Sequence, residues 1–338
     1  MRSVLFLDEL PLSLVRRLWT LLKMFLKEGL RHGDWRAVFR LRAVGASMIM
    51  PEQAVQGLLD LGCSVVRNDF ETKRRHEVAW VYKDPRALRW ALMAKASRRI
   101  GKILAGPMIV SLPTEADSIL MEEGVDAWLF FSSWYRDLFL REVSEAHPSY
   151  VSFAGVDAEY WKPAPARDRF EVLIYRKTME TEIYPAVLGA LERRSMPIRL
   201  IQYGSYEVDE YREALRSARA AIFISRTETQ GLAMFEAWST NVPTLHWDPG
   251  EMHYQGRVLP GASSCAYLSP ACGRRFEGIE QMEDELDALL AESAGLTPRE
   301  TVLRHFTLAH SARRAADVID ALERGVELDD PFPDLVQP

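Results

Sequence analysis

Cysteine is scarce in this sequence, and the three residues present, Cys63, Cys265 and Cys272, contain no CxxC pair. An odd, scattered set indicates neither a disulfide framework nor a zinc site. Long hydrophobic runs are also missing, because no apolar stretch reaches the ~20 residues that a membrane-spanning helix needs. The opening run MRSVLFL stops at Asp8 and Glu9, too early for the apolar region of a signal peptide. We therefore expect a reduced, cytoplasmic protein.

Positive charge is in short supply in the second half of the chain. Residues 1–162 carry 23 Lys and Arg against 20 Asp and Glu, whereas the remainder carries 19 against 28. Within the first half, residues 11–44 hold eight cations and two acids. We therefore expect an anionic partner for the N-terminal half. Nucleic acid is not expected, because the net charge is −6 and there is no base-stacking motif.

Short apolar runs alternate with helical patterns along most of the 338 residues, which predicts parallel sheets built from β-α-β units. A chain of this length is expected to form two domains. The segment 155–169 contains prolines and no periodicity, and is predicted to link residues 1–154 to residues 170–324. The helix after Pro298 could pack back on the first domain, and residues 325–338 are predicted to be an exposed tail. Two such sheets place a ligand cleft between the carboxyl ends of their strands.

The pattern predicts individual strands and helices as well. Predicted strands in the first half are Ser3–Leu7, Ser64–Asn68, Val78–Tyr82, Met108–Leu112, Ala127–Phe131 and Tyr150–Phe153. Predicted strands in the second half are Glu171–Tyr175, Ile198–Tyr203, Ala220–Ser225, Pro243–Trp247 and Ala266–Leu268. Predicted helices include Pro85–Leu104, Gly231–Thr240 and Pro298–Leu322.

Residues 220–247, AAIFISRTETQGLAMFEAWSTNVPTLHW, hold the strongest functional pattern. A buried strand runs into a polar turn and then into a helix, whose first N–H groups form an anion site. Gly231 removes a side chain where a diphosphate would approach. Glu228 lies in the turn, and Glu236 follows Gln230 by ~9 Å along the helix axis. Carboxylates flanking a phosphate site suit the hydroxyl groups of a sugar.

This segment resembles the Glu-x7-Glu signature of the retaining glycosyltransferases of family four, which have the GT-B fold of two Rossmann-like domains facing each other across a cleft. The resemblance implies that Glu228 contacts the transferred sugar and that Glu236 holds the nucleotide ribose. It also implies that Gln230, Gly231 and Leu232 cradle the diphosphate. The alternative is a helix N-cap region with one surface glutamate. The spacing alone is not diagnostic, because it recurs at Glu115/Glu123, Glu277/Glu285 and Glu292/Glu300.

Two further segments resemble the same family. Residues 130–139, FFSSWYRDLF, are similar to a strand–Ser–helix element of its N-terminal domain. Residues 153–163, FAGVDAEYWKP, are similar to its interdomain motif, with Ala154 in place of the usual Asn and Trp161 as the aromatic residue. Family members often place a His after a strand of the N-terminal domain. The matching segment here, SLPTEAD at residues 111–117, contains none.

Basic residues end the first predicted strand of the second domain, where the family places them against the donor diphosphate. The resemblance implies that Arg176 and Lys177 neutralise the leaving group without a metal, with Arg176 the closer match. Because neighbours in a strand point to opposite faces, one of them could miss the phosphate, and both could lie on the surface. Gly45 is predicted to lie in a glycine loop that approaches the donor from the first domain. A plain turn between helices is the alternative.

Residues 12–27, LSLVRRLWTLLKMFLK, form a helical pattern with an apolar stripe flanked by cations. The pattern suits a helix lying on an anionic membrane, which would place the protein at the inner face of the cell membrane. A helix packed on its own sheet with solvated cations fits equally well. The two interpretations stay open at the level of sequence.

We therefore expect a glycosyltransferase that uses a nucleotide diphosphate sugar and a saccharide or lipid-linked acceptor, in polysaccharide or glycolipid synthesis. No cofactor or metal is expected: no Asp-x-Asp follows a strand, and His246, Asp248 and His253 are a weak metal pattern. One alternative is a catalytically silent protein that binds nucleotide sugars or acts as a scaffold. Another is a sugar-nucleotide epimerase with the same fold.

Overall fold

The structure, a computed structural model, describes residues 3–11, 46–164, 171–179 and 182–332. Within these ranges the first half of the chain forms one sheet and the second half another. The strands of the first sheet are β1 (Ser3–Leu7), β2 (Ser64–Arg67), β3 (His76–Val81), β4 (Ile100–Ala105), β5 (Ala127–Phe130) and β6 (Ser149–Val151). The strands of the second sheet are β7 (Glu171–Arg176), β8 (Ile198–Gln202), β9 (Ala218–Ile224), β10 (Thr244–Trp247) and, after a hairpin of β11 (Glu251–Tyr254) and β12 (Arg257–Pro260), β13 (Gly273–Phe276).

Helices connect the strands. Those of the first domain are α1 (Ala46–Asp60), α2 (Pro85–Ala96), α3 (Ser133–Leu140) and a short 3-10 helix, Glu115–Met121. Those that follow are α4 (Ile183–Arg193), α5 (Val208–Ser217), α6 (Leu232–Ser239), α7 (Ile279–Glu292), α8 (Pro298–His305) and α9 (Leu308–Arg324). None of the helices in the described part of the chain is long and apolar enough to cross a membrane.

Both sheets are parallel throughout. Their strand orders are β2-β1-β3-β4-β5-β6 and β13-β10-β9-β7-β8, while β11 and β12 pair antiparallel. The central strands carry continuous apolar runs, such as VLFL in β1 and AAIFI in β9, because side chains on both faces are buried. The two predicted open α/β sheets are therefore confirmed.

The last helix packs against the first domain. Val318, Ile319 and Leu322 of α9 share a buried apolar cluster with Phe6 of β1. α9 and α1 approach so closely that a Cβ at Gly57 would lie 2.6 Å from the Cβ of Ala312. Only glycine allows this contact, and α9 thereby covers a face of the first sheet.

The residues after α9 follow the first domain as far as the structure describes them. Val326 accepts a hydrogen bond from the Tyr150 hydroxyl at 2.9 Å, and Asp330 pairs with Arg136 at 2.6 Å. The Phe332 ring packs on Phe153 with centroids 5.1 Å apart. Residues 326–332 of the predicted tail therefore contact the rest of the protein, although Val326, Glu327 and Asp329 remain exposed.

Two predicted strands are wrong. The fourth strand is Ile100–Ala105 rather than Met108–Leu112, and the helix predicted to reach Leu104 ends at Ala96. Arg98 adopts a positive φ of 61° and turns the chain into the strand. An apolar run of this length suits a helix or a buried strand equally, so periodicity cannot decide between them.

The second wrong strand is Ala266–Leu268, which is buried but unpaired; the edge strand is β13. β13 begins at Gly273, where a Cβ would lie 1.9 Å from the Thr244 carbonyl oxygen. A glycine is thus needed for this close approach of strands β10 and β13. The predicted helix over residues 298–322 is also divided, because Thr307 interrupts it and caps α9 by accepting the N–H of His310.

Candidate active site

A cavity of about 630 Å³ lies between the two domains at the carboxyl edge of the second sheet. Lys177 follows β7, Tyr203 follows β8 and Glu228 lies in the turn after β9, and all three line it. From the first domain, Ile49 and Gln53 of α1 line the cavity. Parallel strands bring their carboxyl ends to one edge, so residues far apart in sequence meet there.

The amino end of α6 forms one wall of this cavity. Gly231, Leu232 and Ala233 line it, and Gly231 adopts a left-handed conformation with φ 85°. A Cβ at Gly231 would lie 2.3 Å from the terminal methyl of Met234. The first N–H groups of a helix have no intrahelical acceptor, so this wall offers backbone donors and the positive end of the helix dipole. An anion such as a phosphate group suits it.

Lys177 and Glu228 form an ion pair inside the cavity. The Lys177 ammonium donates to both carboxylate oxygens, at 2.8 and 2.7 Å, and the Ser225 hydroxyl donates to Oε1 at 2.9 Å. Burial alone would lower the pKa of Lys177, but the charge and hydrogen bonds of Glu228 outweigh it and raise that pKa above its ordinary value. The lysine therefore remains a cation, ready to face an anionic ligand.

Glu236 lies one helical turn after Leu232 on α6 and also lines the cavity. No protein group in the described part of the chain donates a hydrogen bond to its carboxyl group, and burial raises its pKa to about 8. A buried carboxyl group without a hydrogen-bond partner suits a ligand hydroxyl. The hydroxyl can donate to the ionised carboxylate and can accept from the protonated carboxyl group.

Arg176, Gln230 and Gly45 are placed differently from these residues. The Arg176 guanidinium does not line the cavity; it stacks on the Tyr184 ring of α4 at 4.1 Å and donates to the Met179 carbonyl. Adjacent strand residues point to opposite faces, so Lys177 enters the cavity and Arg176 does not. The Gln230 side chain binds the backbone of Ala154 rather than the cavity. Gly45 and residues 12–27 lie outside the described residues.

An aromatic wall, which was not predicted from the sequence, completes the cavity. Tyr203, Tyr206 and Tyr211 belong to the β8–α5 region, and Tyr160 belongs to the linker. The Lys177 ammonium lies 5.1 Å from the Tyr203 ring centroid. The available signal was the position of Tyr203 just after a strand, where ligand contacts in α/β sheets concentrate.

The β11–β12 hairpin reaches across the cleft to the first domain. The Tyr254 hydroxyl and the Gln255 amide donate to Glu115 Oε1 at 2.5 and 2.8 Å, and Arg257 pairs with Glu142 at 2.8 Å. Burial of Glu115 opposes ionisation, yet these hydrogen bonds and two backbone N–H groups hold its pKa below the ordinary value. Residues 111–117 therefore contribute an interdomain contact through Glu115.

His246, Asp248 and His253 do not converge on a common point. His246 is buried and stacked on Phe223, and burial lowers its pKa to about 3. Asp248 binds Ser263, and His253 binds Glu251. Across the described residues no group of three potential ligands could hold a metal ion.

By sequence, neither a protein-family model nor a curated protein matches this chain. By structure, it is similar to sucrose-phosphate synthase from Thermosynechococcus elongatus, with a TM-score of 0.60 and 12% identity over 96% of this chain and 100% of that one. The fold is GT-B. The lipopolysaccharide outer core galactosyltransferase WaaB, in its apo form, has a TM-score of 0.55 and 14% identity over 95% of this chain and 99% of its own. Anabaena HepE in complex with UDP-glucose has a TM-score of 0.54 and 12% identity over 95% of this chain and 100% of its own.

Proposed function

We propose that this protein is a metal-independent glycosyltransferase that moves a sugar from a nucleotide diphosphate to a saccharide or lipid-linked acceptor. We propose further that the anomeric configuration is retained and that the product belongs to polysaccharide or glycolipid synthesis. One observation carries the proposal: a single interdomain cavity brings together the amino end of α6, the cation Lys177 and the carboxyl groups of Glu228 and Glu236. GT-B neighbours that include a galactosyltransferase and a complex with UDP-glucose support it.

The donor would be bound in three parts. The diphosphate would lie at the first N–H groups of α6, next to Lys177. The ribose would lie at Glu236, which has an unused hydrogen-bonding capacity, and the transferred sugar at Glu228. This order follows the direction of α6, since Glu228 precedes the helix and Glu236 lies within it.

The chemistry asked of these residues is stabilisation of the leaving group. As the glycosidic bond breaks, negative charge grows on the departing diphosphate. Fixed donors and a fixed cation stabilise that charge more in the transition state than in the ground state, which raises the rate. Transfer from the front face of the sugar requires orientation rather than a protein nucleophile.

A binding panel and a transfer assay test the proposal. A nucleotide that binds only the native state raises the melting temperature, so UDP, GDP, dTDP and CMP should be compared first. The sugar derivatives of the best ligand, with UDP-glucose as the first trial, are then incubated with saccharide and lipid-linked acceptors. Transfer is detected by mass spectrometry, and the anomeric configuration of the product by NMR. If none of the nucleotides binds, the proposal is wrong.

A silent binding protein is the second candidate. It is favoured by one observation: the segment at residues 111–117 lacks the expected histidine, and its Glu115 is committed to Tyr254. Such a protein would bind the nucleotide sugar but show neither transfer nor donor hydrolysis at any enzyme concentration across a broad donor panel.

A further inference from the structure

The two charged side chains that the proposed function assigns to different parts of the donor are bound to each other in the structure. Lys177 Nζ lies within 2.8 Å of both oxygens of Glu228. The side chains are 33% and 15% exposed, so neither charge is well solvated. Among the described residues, the Ser225 hydroxyl is the other side-chain donor to this carboxylate, at 2.9 Å.

A ligand that carries only a diphosphate would disturb this pair without replacing it. Its negative charge draws Lys177 away and leaves a mostly buried carboxylate short of hydrogen bonds, which is unfavourable. A ligand that also carries a sugar offers hydroxyl groups to Glu228 as Lys177 turns to the phosphates. The ion pair therefore opposes binding of the nucleoside diphosphate. When the sugar nucleotide binds, its sugar hydroxyls compensate for the loss of the pair.

We infer that the Lys177–Glu228 pair couples sugar recognition to diphosphate binding, so that the site holds the sugar nucleotide and releases the nucleoside diphosphate after transfer. The inference rests on the proposed function. In the donor complex, sugar hydroxyls occupy Glu228 and Lys177 faces the diphosphate. Once the sugar has left, Glu228 takes Lys177 back and weakens the hold on the product. Product release limits kcat in many enzymes, so this exchange of partners would increase the rate of that step.

The first ligand of the test is the nucleoside diphosphate that most raises the melting temperature of the wild type, and the second is its sugar derivative. Calorimetry measures the dissociation constant of each ligand for each variant. In Glu228→Gln the nucleoside diphosphate should bind about five- to fifty-fold more tightly than in the wild type, a usual range for coupling between two sites. The sugar derivative should bind no more tightly than before, because the variant amide is a weaker acceptor for its hydroxyls.

Glu251→Gln is the matched control. Glu251 also pairs with a cation at 2.7 Å, Arg226, but does not line the cavity. This variant loses the same charge and should leave both constants within about twofold of the wild type, as expected for a charge change outside the site. Glu228→Asp keeps the charge but is one methylene shorter, so it should loosen the pair and shift the ratio of the two constants in the same direction. Glu228→Asp replaces Glu228→Gln in the test if Glu228→Gln does not fold.

Two results would overturn the inference. Equal tightening of both ligands in Glu228→Gln would mean that Glu228 merely repels negative charge. An unchanged constant for the nucleoside diphosphate would mean that the ion pair does not oppose its binding. Failure of every nucleotide to bind the wild type is a different outcome, because it contradicts the proposed function itself and the inference with it.

Discussion

Gln230 and Ala154 bind each other through both atoms of the glutamine amide. The Ala154 N–H donates to Oε1 at 2.7 Å, and Nε2 donates to the Ala154 carbonyl at 2.7 Å. Gln230 directly precedes Gly231 at the start of α6, while Ala154 is the last residue of the first domain, directly before the interdomain segment. The turn that carries Glu228 is thus held at a defined position relative to the first domain.

Replacing Gln230 should destabilise the protein. In Gln230→Ala the N–H and carbonyl of Ala154 stay buried without partners, at a cost of about 1–3 kcal/mol for each unsatisfied group. We expect the melting temperature, measured by calorimetry, to fall by several degrees. Gln56→Ala is the control, since the Gln56 amide makes an exposed contact with Asp60. Equal melting temperatures for the two variants would show that the pairing contributes nothing to stability.

Lys177 and Arg176 are adjacent in sequence but should differ in catalysis. Lys177→Ala removes a cation from the cavity and should lower kcat by at least about tenfold, because a fixed cation stabilises the departing diphosphate. Arg176→Ala removes a cation that stacks on Tyr184 outside the cavity and should have a much smaller effect. Steady-state kinetics with saturating donor measures kcat for both variants and compares the two losses. EDTA should leave the wild type active, and a requirement for a divalent metal would contradict this assignment.

Removing the Glu236 carboxyl group should weaken nucleotide binding. At about pH 9, where the Glu236 carboxyl group is ionised, we expect Glu236→Ala to reduce the affinity for the nucleoside diphosphate by about 1.5–3 kcal/mol, the range for a hydrogen bond to a charged group. Calorimetry with and without the sugar moiety shows whether the loss belongs to the nucleotide part. Unchanged affinity would exclude contact between Glu236 and the ribose.

The raised pKa of Glu236 predicts a pH dependence of stability. Because burial raises the pKa from 4.5 to about 8, the folded state binds this proton more tightly than the unfolded state does. The free energy of unfolding of the wild type therefore decreases as pH rises from about 4.5 to about 8, because the protonated carboxyl group favours the folded state. The melting temperature of Glu236→Gln should rise relative to the wild type from about pH 5 to pH 8 and then level off, since Gln does not titrate. Glu159→Gln, which removes an exposed carboxyl group, is the control for the loss of one negative charge.

Residues 12–27 lead to a prediction about membranes. If they form an interfacial helix, the protein should sediment with anionic liposomes and dissociate as salt is added, because surface attraction is screened. A variant with Arg16, Arg17 and Lys23 replaced by Gln should stay in the supernatant at low salt. Sedimentation that is independent of these cations and of salt would contradict an electrostatic contact.

The fold class could be predicted from local pattern alone. Runs such as VLFL in β1 and AAIFI in β9 are buried wherever a parallel sheet is covered on both faces, so their chemistry specifies strands before any tertiary contact is known. The strand–turn–glycine–helix order around Gly231 likewise follows from local chemistry, since a left-handed residue there requires glycine. Glu228, Glu236 and Lys177 were therefore accessible as candidates from the sequence.

Other features depend on contacts that no local pattern encodes. Whether Ile100–Ala105 continues a helix or forms β4 depends on the neighbouring strands β3 and β5, which lie far away in sequence. Which of Arg176 and Lys177 faces the cavity depends on the orientation of β7 in its sheet. The Lys177–Glu228 pair spans 51 residues and the Gln230–Ala154 pair spans 76. Local sequence determined which residue types stand at the ends of the strands, whereas only tertiary packing decided which of them meet, because burial and pairing are properties of the assembled sheets.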